Sequence, residues 1–392
     1  MISFDTDLKQ RLAAIHGQGL LRELRRVDSP QAPRIRVGGH DLLNFSSNDY
    51  LGLADHPSLE EAAVQAVKTF GAGSGASRLV CGSLAPHHEL EEALAAFKET
   101  QAALSFSSGY ATALGTICAL LDRDDTVILD KLVHACMVDA ARLSGAKIRV
   151  FAHNDLEDLE EKLKWAQKVR GSQRVLVVTE SIFSMDGDAA PLQEMVALKE
   201  TYGAWLMVDE AHATGLYGKN RRGLAEELGV NRQIEIQMGT LGKALGAAGG
   251  YICGSRVLID FLVNRARSFV FSTAPVPAAA AAATAGIRVV QSAEGEARRK
   301  TLWVRVDEFQ SALGHRPSAI PSAIIPIITG QEEKAMQAAA RLREQNIFVP
   351  AIRYPTVARG QARLRVTLTA AHTADEVIQL ANALKPIGNR KS

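Results

Sequence analysis

The run at residues 238–246, MGTLGKALG, sets one lysine among three glycines just past a short apolar stretch, IEIQMG. A lysine at the end of a buried strand is partly desolvated. Burial lowers the pKa of an ammonium, and the neutral amine is the form that condenses with an aldehyde, so Lys243 suits a Schiff-base role. A nucleotide P-loop fails twice, because G-x-x-x-x-G-K-[ST] needs Gly where Gln237 stands and Ser or Thr where Ala244 stands. Asp209 ends a second apolar stretch, AWLMVD, with His212 three residues on. A carboxylate buried at a strand tip wants a cationic partner, and a protonated pyridine nitrogen supplies one through a charge-assisted hydrogen bond worth roughly 1.5–3 kcal/mol.

In FSSGYATALG, Ser108 and Gly109 open a helical run whose free amides and dipole make a phosphate site, with Tyr110 beside them. His134, in DKLVHAC, is a histidine that could stack on a ring, and Arg365, in ARLRVTL, is a strand arginine that could grip a carboxylate with two parallel bonds. Each residue has a plainer reading alone: a solvated loop lysine, an aspartate capping a turn, a serine N-cap, a core histidine, a solvent-facing arginine. The glycine cluster GAGSGASR at residues 71–78 follows a helical stretch, SLEEAAVQAVKTF, where a dinucleotide loop needs a strand, so a Rossmann site is rejected.

The elements that must position these residues follow from periodicity. From about Pro57 to His315, helical stretches alternate with short apolar runs: TVILD, KIRVF, RVLVVTE, AWLMVDE, IEIQMG and GGYICG. That alternation predicts a largely parallel sheet covered by helices on both faces. Ligands of such sheets collect at the carboxyl ends of strands, so the loops SIFSMDGD, EAHATG and TLGKALG are expected to share one pocket. Residues near 4–26 have helical spacing and precede two extended pieces, RIRV and LLNF. The last quarter, with IIPII, IFVPAI and ARLRVTL between helical EEKAMQAAARLREQ and TADEVIQLANALK, reads as a compact α+β unit. The expected division is an arm over 1–47, a large domain over 48–285 and a smaller one over 286–392.

At 392 residues with 47% hydrophobic and 22% charged residues, the chain can bury an ordinary core in two domains. A net charge of +2 gives no field for nucleic acid, and no nucleic-acid partner is expected. The four cysteines are scattered without C-x-x-C or zinc spacing, so no metal and a reduced, cytoplasmic setting are expected. The opening MISFDTDLKQ lacks a basic region before an apolar stretch, and the alanine-rich run at residues 273–290 contains Pro275, Pro277 and Arg288. Neither a secretory signal nor a membrane span is expected.

The ordered set NDYLGL (48–53), GSGASR (73–78), SSGYATA (107–113), DKLVHAC (130–136), ESIFSMDGD (180–188), MVDEAHATG (207–215), GTLGKALG (239–246), FSTAP (271–275) and ARLRVTLTAAHT (362–373) resembles the α-oxoamine synthases. These are fold-type I pyridoxal phosphate enzymes, and the match keeps its order over nearly the whole chain. The resemblance implies an α/β large domain with a mostly parallel seven-stranded sheet, a smaller C-terminal domain, and a homodimer with a shared site. It implies pyridoxal 5'-phosphate joined to Lys243, Asp209 on the pyridine nitrogen, His134 stacked on the ring, and Ser184 and His212 near the ring and its phenolic oxygen. Ser108, Gly109, Tyr110 and Thr240 fall near the phosphate, with Thr273 reaching it from a partner subunit. SSNDYLGL, MDGDAAPL, VDEAHATGLYG and AIRYPTVARGQARLRVTLTAAHT resemble those members that join L-alanine to a pimeloyl thioester, on coenzyme A or an acyl carrier protein, in biotin biosynthesis. Arg22, Asn48, His134, Thr356 and Arg365 then match substrate positions. GTLGKALG and the YP before the final arginines also resemble members that use glycine and acetyl-CoA.

Overall fold

A computed structural model describes residues 2–169, 174–314 and 319–388. Its strands are β1 (Arg34–Val37), β2 (His40–Asn44), β3 (Ala102–Phe106), β4 (Thr126–Asp130), β5 (Lys147–Phe151), β6 (Val175–Glu180), β7 (Trp205–Asp209), β8 (Ile236–Thr240), β9 (Gly250–Gly254), β10 (Ile324–Gly330), β11 (Ile347–Phe348), β12 (Ala351–Ile352) and β13 (Ala362–Thr367). Seven of them form one sheet in the order β3-β9-β8-β7-β6-β4-β5. β8, β7, β6, β4 and β5 run parallel, and only β9 opposes its neighbours. Every residue of β3, β4 and β9 is buried, as expected for a sheet covered on both faces. Alternation sorts the side chains into two cores: Leu206 and Val208 of β7 pack into one, and Met207 between them packs into the other.

β3 lies outside the apolar runs of the sequence. Its segment, AALSF, is short, built largely of small residues, and held in place by pairing with β9 along its whole length. The N-terminal helix also needs correcting. It spans Phe4–Gly17 and not residues to 26, because Gly17 and Gly19 (φ +66°) end it, and the basic stretch that follows belongs to no helix or strand. β1 and β2 form a hairpin, and β11 joins β2 in parallel, so the arm is stitched to the last quarter of the chain. β10, β13 and β12 make a separate antiparallel sheet. The alanine-rich stretch forms the helix Pro277–Gln291, which runs through position 285 and buries Ala280, Ala283 and Ala285. A Cβ on Gly286 would sit 2.2 Å from the Leu245 carbonyl oxygen, so only glycine lets this helix press against the backbone just after Lys243. Among the described residues no helix is long and apolar enough to cross a membrane, and no group of three or more His, Cys, Asp or Glu is placed to hold a metal.

Candidate active site

The neighbours β6, β7 and β8 deliver the central groups side by side. Glu180 and Asp209 are paired across β6 and β7, and Asp209 faces Met238 of β8, whose chain continues to Lys243. Lys243 Nζ lies 2.7 Å from His212 Nε2, and His212 Nδ1 lies 2.5 Å from the Tyr50 hydroxyl. Burial pushes the Lys243 amine down to about 8, against the pull of Asp209 and Glu180. Burial, then the charges of Lys243, Arg365 and His134, holds His212 well below its ordinary value. The imidazole is therefore neutral at pH 7 and accepts from the ammonium at Nε2 while its Nδ1–H donates to Tyr50; this tautomer is inferred from the partners.

Asp209 is 6% exposed, and Oδ1 accepts the Ala211 amide at 2.9 Å. Burial raises its pKa although Lys243 opposes the shift. Glu180 Oε2 accepts the Ser184 amide (3.1 Å), and Oε1 has no partner among the described residues. Burial and the charge of Asp209 push Glu180 up to about 8. Asp209, the Lys243 amine and a Glu180 that is mostly protonated at pH 7 thus share a buried strand-end pocket.

Three supports fix the rim. Arg365, 5% exposed on β13, spends Nε on the Ser184 carbonyl (2.6 Å) and Nη1 on Asn48 Oδ1 (3.1 Å) and Thr367 Oγ1 (2.9 Å). His153 bridges Asp130 (3.0 Å) and Asp188 (2.7 Å), tying the loop that leads into His134 to the loop that carries Ser184. Burial opposes the charge on His153, but the two carboxylates raise it to about 10. Behind Asp209, the wholly buried Lys98 ammonium bonds Glu210, whose other oxygen accepts the Ala225 amide at 2.9 Å.

The helix Gly109–Leu120 begins where β3 ends. Ser108 caps it by accepting the Ala111 amide (3.1 Å), and its internal bonds start with Thr112, so the amides of Gly109 and Tyr110 face outward. A Cβ on Gly109 would stand 4.0 Å from Thr240 Cβ, which puts Thr240 beside this helix start. Tyr110 is exposed and donates its hydroxyl to Asp139 (2.7 Å). His134 is exposed at the N-cap of Ala135–Ser144, where Nδ1 accepts the Cys136 amide (3.2 Å), and partial desolvation lowers its pKa while Asp209 and Lys243 are close enough to act on it.

Lys243, Asp209, His212, His134, Ser184, Asn48 and Arg365 are therefore brought together, with Ser108, Gly109, Tyr110 and Thr240 at the adjoining helix start. Thr273 lies apart in this respect: it is exposed and bridged to Ser77. Arg22 and Thr356 are also exposed, but Arg353 links their neighbourhoods, donating to the Leu21 carbonyl (2.9 Å) and accepting the Thr356 amide (3.0 Å). Sequence reasoning missed Tyr50, Glu180 and His153. Glu180 obeys the same strand-end logic that singled out Asp209, and His153 stands two residues past the end of KIRVF, whereas Tyr50 carries no local signal.

These groups fit pyridoxal phosphate: an amine near neutrality, a buried carboxylate for a ring cation, an open histidine face and a helix start with free amides. The aminotransferase class I and II family model matches residues 40–384. The chain is 47% identical over 380 residues to the 8-amino-7-oxononanoate synthase of Geobacter sulfurreducens, covering 96% of each. It is 49% identical to the enzyme of that name from Anaeromyxobacter dehalogenans, covering 96% of this chain and 94% of that one. A serine palmitoyltransferase from S. paucimobilis with bound PLP–myriocin aldimine superposes with a TM-score of 0.90 at 30% identity, over 97% of this chain and 96% of that one. The chain belongs to the α-oxoamine synthases, pyridoxal phosphate-dependent acyltransferases of the class I and II aminotransferase fold, and within them to the 8-amino-7-oxononanoate synthases of biotin biosynthesis.

Proposed function

We propose that the chain joins L-alanine to a pimeloyl thioester, releasing CO2 and the free thiol and leaving 8-amino-7-oxononanoate. The observation that carries this reading is the Lys243 amine, 2.7 Å from a neutral His212, in a pocket whose far wall holds the buried guanidinium of Arg365. Lys243 would hold pyridoxal phosphate covalently, Asp209 its ring nitrogen, His134 its ring face, Ser184 and His212 its ring oxygen, and Ser108, Gly109, Tyr110 and Thr240 its phosphate. When bound, that group supplies an electron sink beside the substrate Cα. Arg365 grips the alanine carboxylate, helped by Asn48, and so orients the Cα–H bond toward Lys243. The Lys243 amine, brought near neutrality by burial, takes the Cα proton, and His212 steadies the amine through Nε2. The alanine carbon then attacks the thioester carbonyl, a C–C bond forms, the C–S bond breaks and the thiol leaves. Loss of CO2 and return of a proton complete the reaction.

Arg22 and Thr356 belong to the thioester side, which the Leu21–Arg353–Thr356 bonds support. A cytoplasmic homodimer fits the exposed Leu79, Val80 and Phe271 flanking the Ser77–Thr273 bridge, an apolar surface from which Thr273 would reach the other subunit's phosphate. Product mass from alanine plus pimeloyl thioester, run beside glycine plus acetyl-CoA, tests the reading. Mass of 8-amino-7-oxononanoate in the first arm is expected, and turnover confined to the second would overturn it.

A further inference from the structure

Behind the Gly17–Gly19 break, the arm crosses the last quarter of the chain and brings arginines with it. Arg353 Nη2 holds the Leu21 carbonyl, which seats the arm. The Arg25 guanidinium lies 5.7 Å from the centre of the Phe348 ring, and that of Arg343, from the helix Glu332–Glu344, lies 5.6 Å from the same ring. One arginine on an aromatic ring is a common surface contact. Two like charges converging on one ring repel each other, and Arg343 feels it: burial and then the Arg25 charge lower its pKa.

Neither arginine has an ion-pair partner among the described residues, although Glu23 and Glu344 lie near them in sequence. The chain as a whole is nearly balanced, 45 basic against 43 acidic side chains, so this concentration of positive charge is local. It also lies a short segment from β13, the strand that carries Arg365. Two residues beyond Phe348, about 7 Å of extended chain, the Pro350 carbonyl accepts the Arg365 amide at 3.2 Å. An unneutralised guanidinium pair suits a phosphate, whose oxygens match the guanidinium fork and whose charge removes the repulsion.

We propose that Arg25 and Arg343, converging on Phe348, bind the phosphate of the carrier that delivers the acyl group: a phosphopantetheine phosphate, present in coenzyme A and in acyl carrier protein alike. The proposal rests on the reading that the acyl donor is a thioester.

The test is calorimetric binding of free coenzyme A, 4'-phosphopantetheine and pantetheine to the holoenzyme, in the native chain and in R25Q, R343Q and the double variant. Loss of one charge-assisted bond predicts a Kd for both phosphorylated probes raised by about 10-fold to 100-fold in each single variant and further in the double. Pantetheine, lacking phosphate, should bind all four proteins equally. No binding of coenzyme A by the native chain, or the same Kd in the double variant, would overturn the site. The carrier is resolved by KM: a rise for pimeloyl-CoA and pimeloyl-carrier protein together supports the shared phosphate, a rise for pimeloyl-CoA alone supports coenzyme A as the source, and a rise for neither overturns the site. If the native chain binds coenzyme A through these arginines yet makes no product from alanine and either thioester, the function fails and the site stands.

Discussion

Replacing Lys98 by Met removes one half of an ion pair in which both side chains are 1% exposed. Burial opposes the Lys98 charge, and the pull and hydrogen bond of Glu210, with Tyr251 and Cys253, more than restore it. Without the ammonium, Glu210 keeps only the Ala225 amide and becomes an uncompensated charge in a dry interior. Breaking such a pair costs about 3–5 kcal/mol. At roughly 2–4 °C per kcal/mol for a domain of 150–250 residues, the melting midpoint should fall by about 6–20 °C. The carbonyl of Glu210 also accepts the amides of Ala213 (2.9 Å) and Thr214 (2.8 Å), so the loop holding Asp209 and His212 loosens, and cofactor affinity should fall with stability. Scanning calorimetry of the apo and holo forms reads the first effect, and cofactor titration followed by absorbance reads the second. The double variant K98M/E210Q removes the stranded charge and should recover more than half of the lost midpoint. A single variant melting within about 2 °C of the native chain, or a double no better than the single, would refute the reasoning.

Asp209→Asn exchanges a buried anion for a neutral amide, and cofactor affinity should drop by about 10-fold to 150-fold in equilibrium dialysis; an unchanged affinity would contradict the ring-nitrogen assignment. Tyr50→Phe deletes the 2.5 Å partner of His212, and the pH dependence of Lys243 reactivity toward an added aldehyde should shift, whereas a superimposable profile would show that the His212 contact does not extend to Tyr50. For His153→Gln the sign is set by a folded pKa of about 10 above an ordinary 6.5. The stability it contributes is fully present below about pH 6.5 and is lost as pH rises toward about 10. Urea midpoints of native and variant chains should therefore converge over that window, and a gap constant with pH would count against the Asp130–His153–Asp188 bridge.

The strand ends were legible because polarity changes there while burial does not: VVTE and LMVD pass from apolar to acidic within a residue or two, and IQMG leads four residues on to Lys243. That pattern, with the order of motifs, was enough to place Lys243, Asp209 and His212 in one pocket. β3 was not legible, since AALSF owes its form to pairing with β9, well over a hundred residues away. Tyr50 reaches His212 across 162 residues and Lys98 reaches Glu210 across 112, distances over which local spacing carries no information. His153 stands outside any apolar run, and only the fold puts two aspartates at its two nitrogens. At the N-terminus apolar spacing misleads, because it continues past Gly17 and Gly19, where the helix does not.

The grip on Arg365 has a consequence for how binding is divided from folding. A free arginine side chain carries about 2 kcal/mol of rotamer entropy that must be surrendered before its fork can meet a carboxylate. Here Ser184, Asn48 and Thr367 have already stilled it. The freedom is lost once, when three distant stretches of chain come together, and on the role proposed for Arg365 it would not be lost again at every encounter with an amino acid. A lysine in the same place would bring the charge but would have to be frozen anew each time.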